Sequence, residues 1–257
     1  MNVLHMVGHR HNWNLDTFYQ NAIGDGFIFC AYSFGADTWK KTTLNKRNLN
    51  DVLSRSFLDL QYYGKKESGN IAKGNLASYD FHPAHDPDND QHTDVYFEVA
   101  IRKGIDYQIN LGVKNVIIPM FYENDDINKF LGAVKTINSW LANNRVHDIK
   151  YFMTIPITNH TIIDGKKIDE ILYCLTDMAI VFDGYYILCE SKPDNMQKVS
   201  TDYKYLKNLS RVFEVLKRQK FITVYAYANW DAIVFLATTF TLSATRSYKL
   251  RCTVQVI

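Results

Sequence analysis

Short apolar runs alternate along this chain with longer segments of helical periodicity, and this alternation limits the possible folds more than any other feature. Seven runs, rich in aromatic and β-branched residues, indicate strands. They cover residues 3–7, 26–34, 75–82, 115–122, 149–157, 185–190 and 221–228. Strands that are apolar on both faces and separated by helices predict a parallel sheet covered by helices.

The helical segments carry apolar residues at a spacing of three and four. The clearest is 125–142, with one face formed by Ile127, Phe130, Leu131, Val134, Ile137 and Leu141. Residues 201–219 repeat the pattern, as do residues 93–110, whose inward positions are predicted to be Phe97, Ile101, Ile105 and Ile109. We expect further helices near 48–62, 167–180 and 230–237. Seven or eight strand–helix units predict one α/β domain over residues 1–257, a (β/α)8-type, TIM-like barrel.

Residues 240–257 do not follow this pattern. The sequence "TLSATRSYKLRCTVQVI" is rich in threonine, serine and arginine and has strand propensity without a helical period. An eighth strand is predicted near 249–256, but no eighth helix follows it. We therefore expect the last strand–helix unit to be incomplete or atypical.

An open nucleotide-binding sheet is the alternative α/β architecture. Its glycine-rich motifs, GxGxxG and GxxxxGK[ST], follow none of the predicted strands. The "GDG" at 24–26 precedes a strand and is interpreted as a turn. The sequence therefore favours the barrel.

Charge and cysteine usage limit the partners and the location. The 29 basic and 27 acidic residues are scattered, so we expect no nucleic acid partner. No apolar run reaches the roughly 18 residues that cross a bilayer, so we expect no membrane partner. The four cysteines have no metal-ligand spacing and are interpreted as thiols in a reducing cytoplasm. The oligomeric state is left open.

Polar residues follow the predicted strands, where barrels of this type place their functional groups. The carboxylates predicted to be catalytic are Glu123, Glu190 and Asp80. The residues predicted to bind a ligand are Tyr32, Asn159, Lys192, Asn229 and Trp230. Two carboxylates across a barrel mouth can divide acid and base roles, as in glycosidases.

Histidines suggest a metal site at the same end of the sheet. His9 and His11 follow the first strand, and an extended chain would point them the same way. The pair resembles the HxH of the first strand in amidohydrolase barrels, although Val7 stands where that family has an acidic residue and no strand-borne lysine stands at the expected place. Asp80 and His82 share the same spacing, so His82 is predicted to join His9 and His11 around a divalent metal such as zinc.

The combination of imidazoles and carboxylates predicts a hydrolase, either metal-dependent or glycosidase-like, that acts on a small polar substrate. The alternative is a barrel without catalytic activity. It would use the same rim to bind a sugar-like or nucleotide-like ligand or a protein partner.

Overall fold

The computed structural model describes ten stretches of the chain and has an α/β fold. These stretches are 2–7, 11–40, 48–64, 75–85, 96–122, 126–190, 202–228, 231–232, 234–235 and 252–256. The strands are Asn2–Val7 (β1), Gly26–Cys30 (β2), Ser56–Asp59 (β3), Asn115–Ile118 (β4), Lys150–Ile157 (β5), Gly184–Cys189 (β6), Ile222–Tyr225 (β7) and Cys252–Val256 (β8).

Within the described stretches, seven α-helices between the strands have defined bounds. They are His11–Asn21 (α1), Leu49–Ser54 (α2), Lys103–Leu111 (α3), Ile127–Asn144 (α4), Asn159–Ile162 (α5), Gly165–Leu175 (α6) and Tyr203–Arg218 (α7). A π-helical segment, Phe97–Arg102, leads directly into α3. None of the helices in the described stretches is long and apolar enough to cross a bilayer.

The chain divides into two compact units. The amino-terminal unit comprises residues 3–121 and 144–154, and the carboxyl-terminal unit comprises residues 1–2, 122–143 and 155–257. The single domain expected from the sequence stays a prediction.

Strands of the amino-terminal unit pair in parallel. β2 lies between β1 and β3, with Met6 opposite Ile28 and Ile28 opposite Phe57. β4 pairs with β5, with Ile117 opposite Phe152. β2 and β3 are buried along their whole length, as expected for strands covered on both faces. The prediction of an α/β fold with parallel strands is therefore confirmed, whereas closure of the strands into a barrel stays a prediction.

The carboxyl-terminal unit continues the same pattern. β7 pairs in parallel with both β6 and β8. Asp164 and Asp202 cap α6 and α7 by accepting backbone N–H groups of the first turn. The buried face of α7 carries Leu209, Val212, Phe213 and Leu216. α7 therefore packs on α6 and β7.

The prediction of a third strand over residues 75–82 is wrong. Residues 75–82 form short 3-10 turns instead, at Leu76–Ser78 and, just beyond, Pro83–His85. The third strand is β3, which lies inside the segment predicted as the helix 48–62. The four residues of β3 are all buried, so they show no alternation that separates a strand from a helix. The apolar run at 75–82 comes from aromatic side chains, Tyr79 and Phe81, that are buried although their backbone is not a strand.

The two ends of the chain differ in how far the sequence predicted them. α1 begins at His11. The extended backbone that the sequence analysis assumed for His9 and His11 therefore does not continue through His11. The predicted eighth strand is confirmed as β8. Of the predicted helix 230–237, residues 231–232 and 234–235 are helical, and the rest lies outside the described stretches.

Candidate functional site

Two of the predicted site residues meet at the strand ends of the carboxyl-terminal unit. Glu190 directly follows β6, and Asn159 begins α5 just after β5. The backbone N–H of Glu190 donates to the Ile157 carbonyl at 2.8 Å, which fixes the end of β6 beside the end of β5. The backbone N–H of Asn159 donates to Glu190 Oε2 at 3.0 Å. We call this pair the Glu190–Asn159 site, and its role stays a prediction.

The two oxygens of the Glu190 carboxylate differ, because a backbone N–H holds Oε2 and no described group donates to Oε1. Glu190 is exposed, and among the described residues its second oxygen, Oε1, has no hydrogen-bond donor. The side-chain amide of Asn159 donates to the Glu190 carbonyl at 3.5 Å, at the outer limit for such a bond. A carboxylate held in this way offers a fixed acceptor to a molecule in solvent.

A buried hydrogen-bonded chain lies after β7 in the same unit. The Tyr225 hydroxyl donates to Asp231 Oδ2 at 2.8 Å, and Asp231 is only 4% exposed. The Tyr205 side chain, from α7, lies beside the Tyr225 hydroxyl and the thiol of Cys189 at the end of β6. Burial raises the pKa of both tyrosines well above the ordinary value, so they stay protonated and can donate.

Buried tyrosines give a prediction for alkaline titration. Six of them have a pKa raised chiefly by burial, because the phenolate loses its hydration: Tyr62, Tyr79, Tyr96, Tyr185, Tyr205 and Tyr225. At about pH 11 we expect the folded chain to ionise at least six tyrosines fewer than the chain unfolded in guanidinium at that pH. Tyrosinate absorbance measures the difference, and equal absorbance in both states contradicts the prediction.

The structure describes the side chains of three predicted site residues of the amino-terminal unit, Tyr32, Asp80 and His82. Tyr32 is 44% exposed after β2, and its backbone N–H donates to Gln61 Oε1 at 3.0 Å. Asp80 is exposed, whereas His82 is 2% exposed. The prediction that Asp80 and His82 face the same way is wrong, because it assumed an extended strand and this segment turns.

His82 is held as an interior residue. Its Nε2 lies 2.8 Å from the Leu60 carbonyl oxygen, and its ring packs edge-on against Tyr62 with centroids 4.8 Å apart. Burial lowers the pKa of His82 to about 4, so the imidazole is neutral at physiological pH.

Asp59 is a strand-end carboxylate that the sequence analysis missed. It ends β3 and is 1% exposed. Its Oδ1 accepts from the backbone N–H of Gln61 at 3.0 Å, and its Oδ2 accepts from the Tyr63 hydroxyl. Gln61 has a φ of 57°, a conformation uncommon outside glycine and often found at functional sites. The only signal in the sequence was the short "SFLD", which the predicted helix obscured.

The remaining predicted residues are not part of the described stretches. These are Glu123, Lys192, Asn229, Trp230 and His9, together with the side chain of His11. Where the structure describes side chains, no three His, Cys, Asp or Glu residues lie close enough to hold a metal ion. The predicted zinc site therefore gains no support from the described side chains.

Comparison with known proteins identifies no family. No protein-family model matches the chain, and no curated protein matches it. Among solved structures, it is similar to the HpcH/HpaI aldolase from Desulfitobacterium hafniense DCB-2, with a TM-score of 0.46 and 11% identity, covering 99% of this chain and 85% of that chain. The predicted hydrolase is contradicted, because the similar protein is an aldolase. A likeness at this TM-score carries no argument for any reaction in its place.

Proposed function

We propose that the carboxyl-terminal unit binds a small, uncharged, hydroxyl-bearing ligand at the Glu190–Asn159 site. The observation that supports this most directly is the Glu190 carboxylate, because the residue is exposed, Oε2 is fixed by a backbone N–H, and Oε1 has no donor among the described residues. In the (β/α)8 arrangement that we retain as a proposal, ligands bind at this end of the strands.

The charges around the site favour a neutral ligand that donates hydrogen bonds. Glu190 is an exposed carboxylate at the end of β6, and carboxylates accept hydrogen bonds from hydroxyl groups. The same carboxylate would repel an anionic ligand. The Asn159 amide adds a polar side chain that is 8% exposed beside Glu190.

Saturation-transfer NMR with D-ribose, D-glucose, adenosine and L-lactate tests this proposal. We expect transfer to at least one of the three neutral compounds and none to the anionic lactate. Glu190→Gln keeps the shape of the side chain but removes the charge, and it should raise the Kd of the bound compound about tenfold, since a hydrogen bond to a charged acceptor is worth about 1.5 kcal/mol or more.

Glu170→Gln is the matched control, because Glu170 is an exposed glutamate on α6 in the same unit. Its Kd should equal that of the wild type. The proposal fails if none of the neutral compounds binds, or if Glu190→Gln and Glu170→Gln bind equally well.

A further inference from the structure

The boundary between β3 and β4 differs from the other neighbouring strands of the amino-terminal unit. β3 is hydrogen-bonded to β2, and β4 to β5. β3 and β4 lie close together, yet within the described stretches no backbone ladder joins them. We call this boundary the β3–β4 joint.

A side chain takes the position of the missing strand. Gln108 of α3 is completely buried. Its Nε2 donates to the Ile117 carbonyl at 2.7 Å, and its Oε1 accepts from the Ile117 N–H at 3.0 Å. These are the two bonds that a neighbouring strand would make with Ile117 of β4. Gln108 thereby satisfies a strand residue that has no strand partner on that side.

The helix that carries Gln108 packs closely against the residues that follow β3 and β4. A Cβ atom at Gly104 would lie 2.9 Å from the Tyr62 hydroxyl and 3.0 Å from Leu60 Cδ1, both just after β3. It would also lie 3.2 Å from Cγ of Pro119, just after β4. One turn earlier, the Ala100 carbonyl accepts from the Tyr62 hydroxyl at 3.0 Å. Positions 100, 104 and 108 therefore form one stripe of the helix that faces the joint.

We propose that the β3–β4 joint is an opening point of the amino-terminal unit, with Gln108 as its latch. A ladder between strands breaks only when several bonds are lost together, whereas both bonds to Ile117 end with one change of the Gln108 rotamer. Opening separates β3, which ends in Asp59, from β4. The joint gives the polar end of β3 a way to move without unfolding the rest of the unit.

Amide hydrogen exchange measured by NMR under increasing urea tests the latch. In the wild type, the Ile117 amide should exchange through a local opening with little dependence on urea, while the Ile28 amide in β2 should exchange only through global unfolding. Gln108→Met removes both bonds at similar volume and should speed exchange at Ile117 about tenfold beyond the change at Ile28.

Asn138→Leu is the matched control, since Asn138 is another buried amide that bonds backbone, the Ala179 carbonyl and the Val181 N–H, both at 2.9 Å. It should speed exchange at Val181 and leave Ile117 unchanged relative to Ile28. The proposal is overturned if wild-type Ile117 and Ile28 share one opening free energy and one urea dependence. It is also overturned if Gln108→Met speeds all amides equally. The wild-type measurement decides the matter even if Gln108→Met does not fold.

Discussion

Lowering the pH from about 7.5 to about 4 should reduce the free energy of unfolding by about 3 kcal/mol through His82 alone. Burial holds the pKa of His82 at about 4 in the folded chain, against about 6.5 when the chain is unfolded. Between about pH 6.5 and 4, His82 therefore binds a proton in the unfolded chain but not in the folded chain. The stability is fully present above that pH, falls as the pH drops towards 4, and levels off below it.

Urea unfolding at a series of pH values measures this effect as the difference between two variants. His82→Gln removes the titration and keeps an amide that can donate to the Leu60 carbonyl, so its stability should lack the His82 contribution to the pH dependence. His85→Gln changes an exposed histidine of the same segment and should keep most of the wild-type fall, because burial is the largest cause of the low pKa of His82 and the charge of His85 is the smallest. Parallel profiles for the wild type and His82→Gln would contradict the prediction.

The sequence predicted a strand wherever its apolar run is separate from the neighbouring helix, as for β4 and β7, which have only four residues each. β5 has eight residues, and the prediction of 149–157 is close to its observed bounds of 150–157. β3 has four, all buried, and it follows α2 after a single residue, Arg55. A helix and a strand this short merge into one apolar segment, so residues 48–62 were predicted as a single helix.

Strand-end reasoning predicted only part of the candidate site. It identified Glu190 and Asn159, because each follows directly on a clear apolar run. It predicted that His82 extends from a strand end, whereas His82 is buried, bonds the Leu60 carbonyl and packs against Tyr62. This placement depends on a turn that the sequence does not reveal. The contact between Tyr225 and Asp231 spans six residues and matches neither helical nor strand spacing.

Gln108 shows a different limit of the sequence pattern. The sequence predicted that Phe97, Ile101, Ile105 and Ile109 face inward. This spacing of four residues assumes an α-helix throughout. The structure buries Ile101, Ile105 and Gln108, which share one face at the i, i+4, i+7 spacing of an α-helix. Position 108 therefore lies on the inward side, but glutamine is polar and gave no apolar signal there.

Removing the Tyr225 hydroxyl should lower the free energy of unfolding by about 2 to 3 kcal/mol, because it removes a buried hydrogen bond to a carboxylate acceptor. In Tyr225→Phe the ring still packs against Phe213, with centroids 5.3 Å apart in the wild type, so the change removes only the contacts of the hydroxyl with Asp231 and Tyr205. Urea unfolding measures the loss. In the background of Asp231→Asn, a neutral side chain replaces the carboxylate, and the same change at Tyr225 should cost less.

Tyr185→Phe is the matched control in the same unit. Tyr185 is also completely buried, but its hydroxyl donates to the neutral carbonyl of Leu175. Its removal should cost about 1 kcal/mol, the usual range for a bond between neutral groups. A larger cost at Tyr225 than at Tyr185, with coupling to Asp231, would identify the buried carboxylate as the source of the difference. Equal costs and no coupling would mean that Asp231 does not depend on Tyr225, and the hydrogen-bonded chain after β7 would then contribute no more than ordinary packing.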